Sequence, residues 1–264
     1  MATPPAYEAL RWAADSGVAT ITLDRPEALN SLEATLKHDL LRALRDAGRD
    51  PEVRVVILTG AGRAFCAGQD LKERLQPDPT PLDVEVRERF NPLVQAIRSM
   101  DKPVIAAING VAAGAGASLA FACDLRIAAE TASFVLAFGR IGLVPDSGAT
   151  WLLPRLIGLG RATELMLLPD PVGAADALRI GLVNRVVPAG ELLAAAGVMA
   201  AALAAAAPRS LALTKRAIRR SLEATFEESL DYEASLQGIA GRTTDHAEGL
   251  AAFVEKRPPS FNGS

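Results

Sequence analysis

The 264-residue sequence has little cysteine and no excess of charge of one sign. Its cysteines, Cys66 and Cys123, lie far apart and outside any CxxC or cysteine–histidine spacing, which argues against a disulfide scaffold and a structural zinc site. The 28 Lys and Arg residues nearly balance the 31 Asp and Glu residues, and no run of five basic residues occurs. We therefore expect no metal, no nucleic-acid partner and no anionic-membrane anchor.

Long hydrophobic runs are also missing. The longest, Leu192 to Ala207, is rich in alanine and shorter than the roughly 20 residues that a membrane span requires. The first twelve residues, MATPPAYEALRW, have neither a basic nor an apolar stretch of the kind found in secretory signals. Together with the two isolated cysteines, these features predict a cytoplasmic protein without a membrane partner.

Strand and helix patterns alternate in the first two thirds of the chain, which predicts the α/β class. A helix is expected from Asn30 or Ser31 to Gly48, and another over residues 84–100. Beyond Pro154 the pattern is mostly helical. We predict an α/β core over residues 1–190 and a helical region over residues 191–264. The predicted strands cover residues 18–23, 53–58, 104–108, 125–128 and 133–137.

Two glycine-rich segments, residues 63–71 (RAFCAGQDL) and 109–120 (NGVAAGAGASLA), follow predicted strands. The first exposes backbone N–H groups around Ala67, and the second places Ala115 at the start of a helix, where unpaired N–H groups and the helix dipole attract negative charge. Two such donors that converge on one point would form an oxyanion hole. The alternative is that both segments are tight turns required for close packing.

A third segment, residues 141–158 (IGLVPDSGATWLLPRLIG), carries Asp146 among apolar neighbours. Desolvation should raise the pKa of this carboxyl group, which is how a general acid and base is tuned towards neutral pH. The alternative is that Asp146 is the N-cap of a helix beginning near Gly148. The residues alone leave both alternatives open.

Two other kinds of site fit less well. Leu119 occupies the third glycine position of a GxGxxG pattern that starts at Gly114, so the dinucleotide-binding fingerprint fails. Ser118 is a potential nucleophile, but the only histidines, His38 and His246, have no visible orienting partner. A serine hydrolase is therefore disfavoured.

Taken together, these segments resemble the crotonase family, also called the enoyl-CoA hydratase/isomerase superfamily. The resemblance extends over residues 18–261 and includes DRPEALNSL at 24–32 and FVEKRPPSF at 253–261. It implies a crotonase-like spiral of ββα units, a C-terminal helical trimerisation region, and a homotrimer or homohexamer. It also implies an acyl-CoA thioester substrate, so that CoA arrives as part of the substrate and no separate cofactor is needed.

Site residues follow from this resemblance position by position. It implies an oxyanion hole formed by the backbone N–H groups of Ala67 and Ala115, and a general acid and base at Asp146, where related isomerases and a dehalogenase carry a carboxylate. Basic side chains are expected near the CoA phosphates. The residues implied to contact substrate or CoA are Arg25, Glu27, Ala28, Leu29, Ala64, Gly68, Gln69, Asp70, Leu71, Lys72, Gly114, Ser118, Phe138 and, from a neighbouring subunit, Lys256.

The sequence departs from the family pattern where hydratases carry two glutamates that activate water. Ser118 and Phe138 stand at those positions, and neither can act as a base. A single carboxylate at Asp146 favours an acyl-CoA isomerase, which moves a proton from one carbon to another. Within the family, the chain most resembles isomerases that rearrange a ring epoxide, and such enzymes also move a double bond from C3 to C2. An enoyl-CoA hydratase and a non-catalytic acyl-CoA-binding member are the alternatives.

Overall fold

A computed structural model describes residues 6–264, which form an α/β fold with two sheets. In chain order, strands β1 to β10 occupy Leu10–Asp15, Val18–Leu23, Val55–Gly60, Ala64–Cys66, Val104–Ile108, Val111–Ala113, Leu125–Ala129, Ser133–Val135, Val172–Gly173 and Arg185–Val187. Helices α1 to α12 occupy Ala34–Arg49, Leu71–Arg74, Leu82–Glu85, Asn91–Ser99, Ala115–Ala122, Ala149–Ile157, Leu159–Leu167, Ala174–Arg179, Leu192–Ala204, Pro208–Ser221, Phe226–Ala240 and Thr244–Glu255.

The strands divide between the two sheets in a regular way. The larger sheet has the order β1-β2-β3-β5-β7-β10, and the smaller has the order β4-β6-β8-β9. Pairing is parallel except for the β1–β2 hairpin and the β8–β9 pair. From β3 to β8, each strand of the larger sheet is followed by one of the smaller sheet. This alternation confirms the predicted crotonase-like α/β fold built from ββα units.

Both faces of the larger sheet are buried, as its continuous apolar strands predict. On one face, Val56 and Leu58 of β3 belong to the main core, together with the leucine stripe of α1. On the other face, Val55 and Ile57 pack with the alanine-rich side of α9. Consecutive residues of β3 therefore serve different cores, because side chains alternate across a strand.

The start of α1 differs from the sequence prediction. The helix begins at Ala34, and its cap is Glu33, whose side chain accepts hydrogen bonds from the N–H groups of Thr35 and Leu36. Asn30 is fully buried and has a φ of +55°. It belongs to a left-handed turn before the helix, which asparagine tolerates better than most residues. The predicted cap at Asn30 or Ser31 is therefore wrong.

The helix predicted over residues 84–100 is divided into α3, a π-helical turn at Val86–Phe90, and α4. Pro92, near the start of α4, has no N–H to continue the regular hydrogen-bond ladder. The Asn91 N–H donates instead to the carbonyl oxygen of Val86, five residues earlier. The break in the helix comes from the missing N–H of Pro92, which a prediction from apolar periodicity does not take into account.

No single described helix is long and apolar enough to cross a membrane; α9 with its preceding turn and α10 meet that test only as a pair, which is bent by 102°. Within residues 6–264, no group of three His, Cys, Asp or Glu side chains is arranged to hold a metal ion.

Candidate active site

The loop after β4 lies directly against the start of α5. Gly68 has a φ of +88°, and a Cβ atom there would lie 2.7 Å from the carbonyl oxygen of Ala113 and 3.3 Å from the backbone nitrogen of Ala115. Glycine is therefore required both for the backbone conformation and for the close approach. As a consequence, the two glycine-rich segments meet where the sequence predicts converging N–H donors.

One of the predicted donors is already engaged. The Ala67 N–H donates to the carbonyl oxygen of Leu29 at 3.0 Å, and the Asp70 N–H donates to that of Leu32 at 3.2 Å. Between them, the Gly68 N–H interacts with the Cys66 thiol, and the Gln69 N–H has no acceptor among the described residues. The assignment of Ala67 as an oxyanion-hole donor is therefore corrected: the open N–H in this loop belongs to Gln69.

The second predicted donor is open. Ala115 is the first residue of α5, and its N–H has no acceptor among residues 6–264. The helix is held in place by Gly116, where a Cβ atom would lie only 2.2 Å from the carbonyl oxygen of Cys66 in β4. Close contact between helix and strand thus fixes the Ala115 N–H beside the Gly68 backbone, and both open donors occupy one corner of the fold.

Asp146 lies in the loop before α6, where it is half-buried. Burial raises the pKa of its carboxyl group, and a 2.8 Å hydrogen bond donated by the Ser147 hydroxyl opposes this increase. The predicted direction of the pKa shift is confirmed. The N-cap alternative is wrong, because Gly148 is the N-cap of α6 and Asp146 contributes only its carbonyl oxygen, at 3.0 Å from the Ala149 nitrogen.

Ser118 joins Asp146 to the start of α5. Its hydroxyl lies 3.2 Å from the carbonyl oxygen of Asp146 and 3.3 Å from that of Gly114. The residue has no exposed surface and its hydroxyl supports the Asp146 loop, while a contact of Ser118 with substrate stays a prediction. Phe138 is also buried, with its ring edge 3.9 Å from the position of a Cβ atom on Gly114. Ser118 thereby connects the loop that carries Asp146 to α5, the helix whose first residue supplies the open Ala115 N–H.

The sequence model of the enoyl-CoA hydratase/isomerase family matches residues 13–264. The chain belongs to this family. It is 45% identical over 257 residues to a probable enoyl-CoA hydratase of Rhodobacter capsulatus, covering 97% of this chain and 99% of that protein. It is also 45% identical over 253 residues to the 1,2-epoxyphenylacetyl-CoA isomerase of Escherichia coli, covering 94% and 96% of the two chains.

Solved structures agree with this assignment. The enoyl-CoA hydratase from Bacillus anthracis matches with a TM-score of 0.94 and 38% identity, covering 97% of this chain and 100% of that one. As a family member, the protein is an enzyme that acts on CoA thioesters. Its two relatives at 45% identity have names with different activities, so overall similarity does not separate an isomerase from a hydratase.

Two of the residues predicted to bind CoA, Arg25 and Asp70, form an ion pair with each other. Arg25 Nη1 lies 3.1 Å from Asp70 Oδ2, and the Ser31 hydroxyl donates to the same oxygen at 3.0 Å. Burial by itself would raise the pKa of Asp70, but hydrogen bonds from the Lys72 N–H, Arg25 and Ser31 keep it below its usual value. The ion pair between Arg25 and Asp70 therefore stabilises the loop that follows β4. A contact of Arg25 with the CoA phosphates stays a prediction.

Asn30, which the sequence suggested only as a helix cap, is a structural residue of the site. Its amide nitrogen donates to the carbonyl oxygens of Ala61 and Ala64 at 2.9 and 2.8 Å, and its amide oxygen accepts from the Arg25 N–H at 2.9 Å. These bonds clamp the turn that contains Leu29 against β4. The only sequence signal was an asparagine that favours left-handed turns, which is shared by many surface loops.

Five further predicted residues lie in three places. Glu27 and Ala28 lie in the 3₁₀ turn Pro26–Ala28, while Leu71 and Lys72 are exposed in α2. Lys256 is exposed at the end of α12, and within residues 6–264 no hydrogen bond or ion pair joins it to the others. A role of Lys256 at the site of a neighbouring subunit stays a prediction.

Proposed function

We propose that this family member is an acyl-CoA isomerase that acts on 1,2-epoxyphenylacetyl-CoA in phenylacetate breakdown, on 3-enoyl-CoA thioesters, or on both. The observation that carries the proposal is the pairing of one half-buried carboxylate of raised pKa, Asp146, with the two open N–H groups of Gln69 and Ala115. Ser118 and Phe138 stand where the family's hydratases carry their glutamates, which leaves a single proton carrier.

The first step concerns the thioester carbonyl. The N–H groups of Gln69 and Ala115 donate hydrogen bonds to its oxygen and stabilise the negative charge that develops there. This charge makes the protons on C2 of the acyl group more acidic. The Asp146 carboxylate accepts one of them, and the C–H electrons move into the carbonyl group to form an enolate.

The second step returns the same proton. In a 3-enoyl thioester, the enolate is conjugated with the C3–C4 double bond, so Asp146 delivers the proton to C4 and the double bond moves to C2–C3. The oxepin tautomer of a ring epoxide also has a double bond between the carbons that correspond to C3 and C4. One carboxylate that transfers a proton from C2 to C4 therefore serves both substrates, without net consumption of water.

Replacing Asp146 by asparagine tests this assignment. Asparagine keeps the shape and hydrogen bonding of the side chain but cannot accept a proton, so isomerisation of 3-hexenoyl-CoA should fall about 10²- to 10⁴-fold. Affinity for hexanoyl-CoA, measured by calorimetry, should change little, because the N–H groups remain. Full activity in a folded Asp146→Asn protein would contradict the role of Asp146.

Two comparisons complete this experiment. Ser118→Ala removes a hydroxyl that contacts only carbonyl oxygens, so a serine nucleophile predicts abolition and the isomerase proposal predicts a small loss. Hydration of 2-hexenoyl-CoA by the wild-type protein, followed in the same spectrophotometric assay, separates the classes. Hydration faster than isomerisation would identify a hydratase, and tight binding without either reaction would identify a non-catalytic binder.

A further inference from the structure

The side-chain amide of Gln69 has no role in the proposed proton transfer. Its amide nitrogen, Nε2, is buried and has no hydrogen-bond partner among the described residues. Leaving a buried polar group without a partner costs about 1–3 kcal/mol, so such groups are rare and call for an explanation. Gln69 also carries the open backbone N–H assigned to the thioester oxygen, so one residue supplies both donors.

None of the carboxylates near this amide accepts a hydrogen bond from it. Gln69 lines a cavity of about 230 Å³ together with three carboxylates, Glu73, Asp78 and Glu85. Glu73 accepts from the Ala34 N–H at 2.7 Å and from Lys37 at 3.0 Å. Lys37 also pairs with one oxygen of Glu85, and the other oxygen of Glu85 lies 3.2 Å from an Arg89 nitrogen. Both oxygens of Glu73 and both of Glu85 are thus engaged by other donors, and none of the three carboxylates accepts a hydrogen bond from Gln69 Nε2.

Gln69 is well placed to contact the acyl group. A thioester oxygen bound to its backbone N–H brings the first acyl carbons beside its side chain, since only two methylene groups separate the Gln69 amide from its Cα. Resting on the proposed function, we infer that the Gln69 side chain donates a hydrogen bond to an oxygen atom at or next to C3 of the acyl group. Gln69 is then a specificity-determining residue that favours oxygen-bearing acyl chains over hydrocarbon chains.

A pair of inert ligands tests this inference independently of turnover. Hexanoyl-CoA and propoxyacetyl-CoA differ only in that an ether oxygen replaces the C3 methylene, and neither has a double bond to isomerise. The measurement is the ratio of their dissociation constants, obtained by calorimetry. Gln69→Met has a side chain of similar length without the amide, so it should weaken propoxyacetyl-CoA relative to hexanoyl-CoA by about 3- to 10-fold, the contribution of one hydrogen bond.

Gln76→Met is the matched control. Gln76 lines the same cavity but is exposed, so its replacement adds the same apolar group without removing a buried donor. The ratio of dissociation constants should not change in this variant. Gln69→Ala provides a second removal of the amide if Gln69→Met unfolds in thermal melts.

Two results would overturn the inference. If the Gln69 variants weaken both ligands equally, the amide serves the thioester or the CoA moiety; if they change neither affinity, it serves no acyl group. Failure of the isomerase proposal is recognised separately, because it is scored by turnover in the Asp146→Asn comparison, whereas the affinity ratio requires no proton transfer.

Discussion

At the scale of single residues, two opposing contacts set the charge of Asp146. Burial raises the pKa of its carboxyl group, and the hydrogen bond from the Ser147 hydroxyl lowers it. Ser147 is itself buried in a left-handed conformation with a φ of +53°, which is uncommon for a residue with a side chain. Backbone strain of this kind is often found where a reactive group must be held in one position.

The raised pKa of Asp146 determines how the rate of the reaction should depend on pH. Asp146 must be ionised to accept a proton, so kcat/KM should fall as pH decreases through a pKa that lies above the ordinary aspartate value of 3.8. Ser147→Ala removes the donor that favours the ionised form. The acidic limb of the kcat/KM profile should therefore move to higher pH, while activity well above the limb changes less.

Ser118→Ala is the control for this profile, because Ser118 contacts the carbonyl oxygen of Asp146 and not its carboxylate. Its acidic limb should coincide with that of the wild-type protein. An unshifted limb in Ser147→Ala, measured on a folded enzyme, would show that the Ser147 hydroxyl does not control this ionisation.

Asp146 could be predicted from the sequence, whereas the open N–H donor in the loop after β4 could not. Asp146 is recognisable because a carboxylate among apolar residues is unusual, and burial then raises its pKa by elementary electrostatics. The donor in the β4 loop was placed two residues too early, at Ala67. Which N–H is open there depends on a hydrogen bond to Leu29, which lies 38 positions away and gives no local signal. The unpartnered amide of Gln69 is a tertiary feature for the same reason.

At the scale of secondary-structure elements, the contact between α5 and β4 determines the geometry of the site. A Cβ atom on Gly116 would lie 2.2 Å from the carbonyl oxygen of Cys66, which is backbone and cannot rotate away. Gly116→Ala should therefore displace the helix and the Ala115 N–H at its start. A misplacement of about 1 Å can cost about 10²-fold in rate, and overpacking costs about 1–3 kcal/mol of stability. Both effects are expected here.

Gly48 provides the matched control for this substitution. It lies in α1, and a Cβ atom there would meet no atom within 4 Å. Gly48→Ala should leave kcat unchanged and stabilise the protein by roughly 0.5–1 kcal/mol, because alanine loses less backbone entropy in a helix. Denaturant unfolding and steady-state kinetics measure the stability and kcat of Gly116→Ala and Gly48→Ala. Equal behaviour would show that the α5–β4 contact tolerates a methyl group.

Long elements with a strong pattern were mostly predictable from sequence, but length alone does not decide: the three-residue strand β8 was predicted, over residues 133–137, and the six-residue strand β1 was not. The stripe of α1 and the continuous apolar runs of β3 and β5 are confirmed, since burial of that kind leaves a clear periodicity. The three-residue strands β4 and β6 lie inside the glycine-rich segments and were missed. Unlike β8, these two strands lie among glycine and alanine residues that show no usable period, and their pairing with each other reveals them.

At the scale of the whole molecule, the C-terminal helices expose a large apolar surface. The sequence of α9 and α10 offers four apolar side chains as candidates for a face beyond the core, namely Leu203, Leu211, Leu213 and Ile218. Of these, Ile218 is 58% exposed, whereas Leu213 is buried within its own chain. The exposed set is extended by Phe226 in α11 and by Phe253 and Val254 in α12, which are 73%, 84% and 78% exposed. Monomeric proteins rarely leave so many large apolar groups in water.

The last prediction follows from this surface. We expect the protein to assemble through its C-terminal helices as a homotrimer or homohexamer, because a closed symmetric oligomer would cover the same apolar groups on every copy. Light scattering at micromolar concentration should give the mass of three or six chains. Phe253→Asp places a charge on the exposed face of α12 and should shift the mass towards the monomer, since an unpaired charge in an apolar interface is strongly unfavourable.

Leu75→Asp, at an equally exposed apolar residue outside these helices, is the control and should leave the mass unchanged. A wild-type protein that is monomeric at this concentration would contradict the assembly, and with it the expected contribution of Lys256 to a neighbouring site.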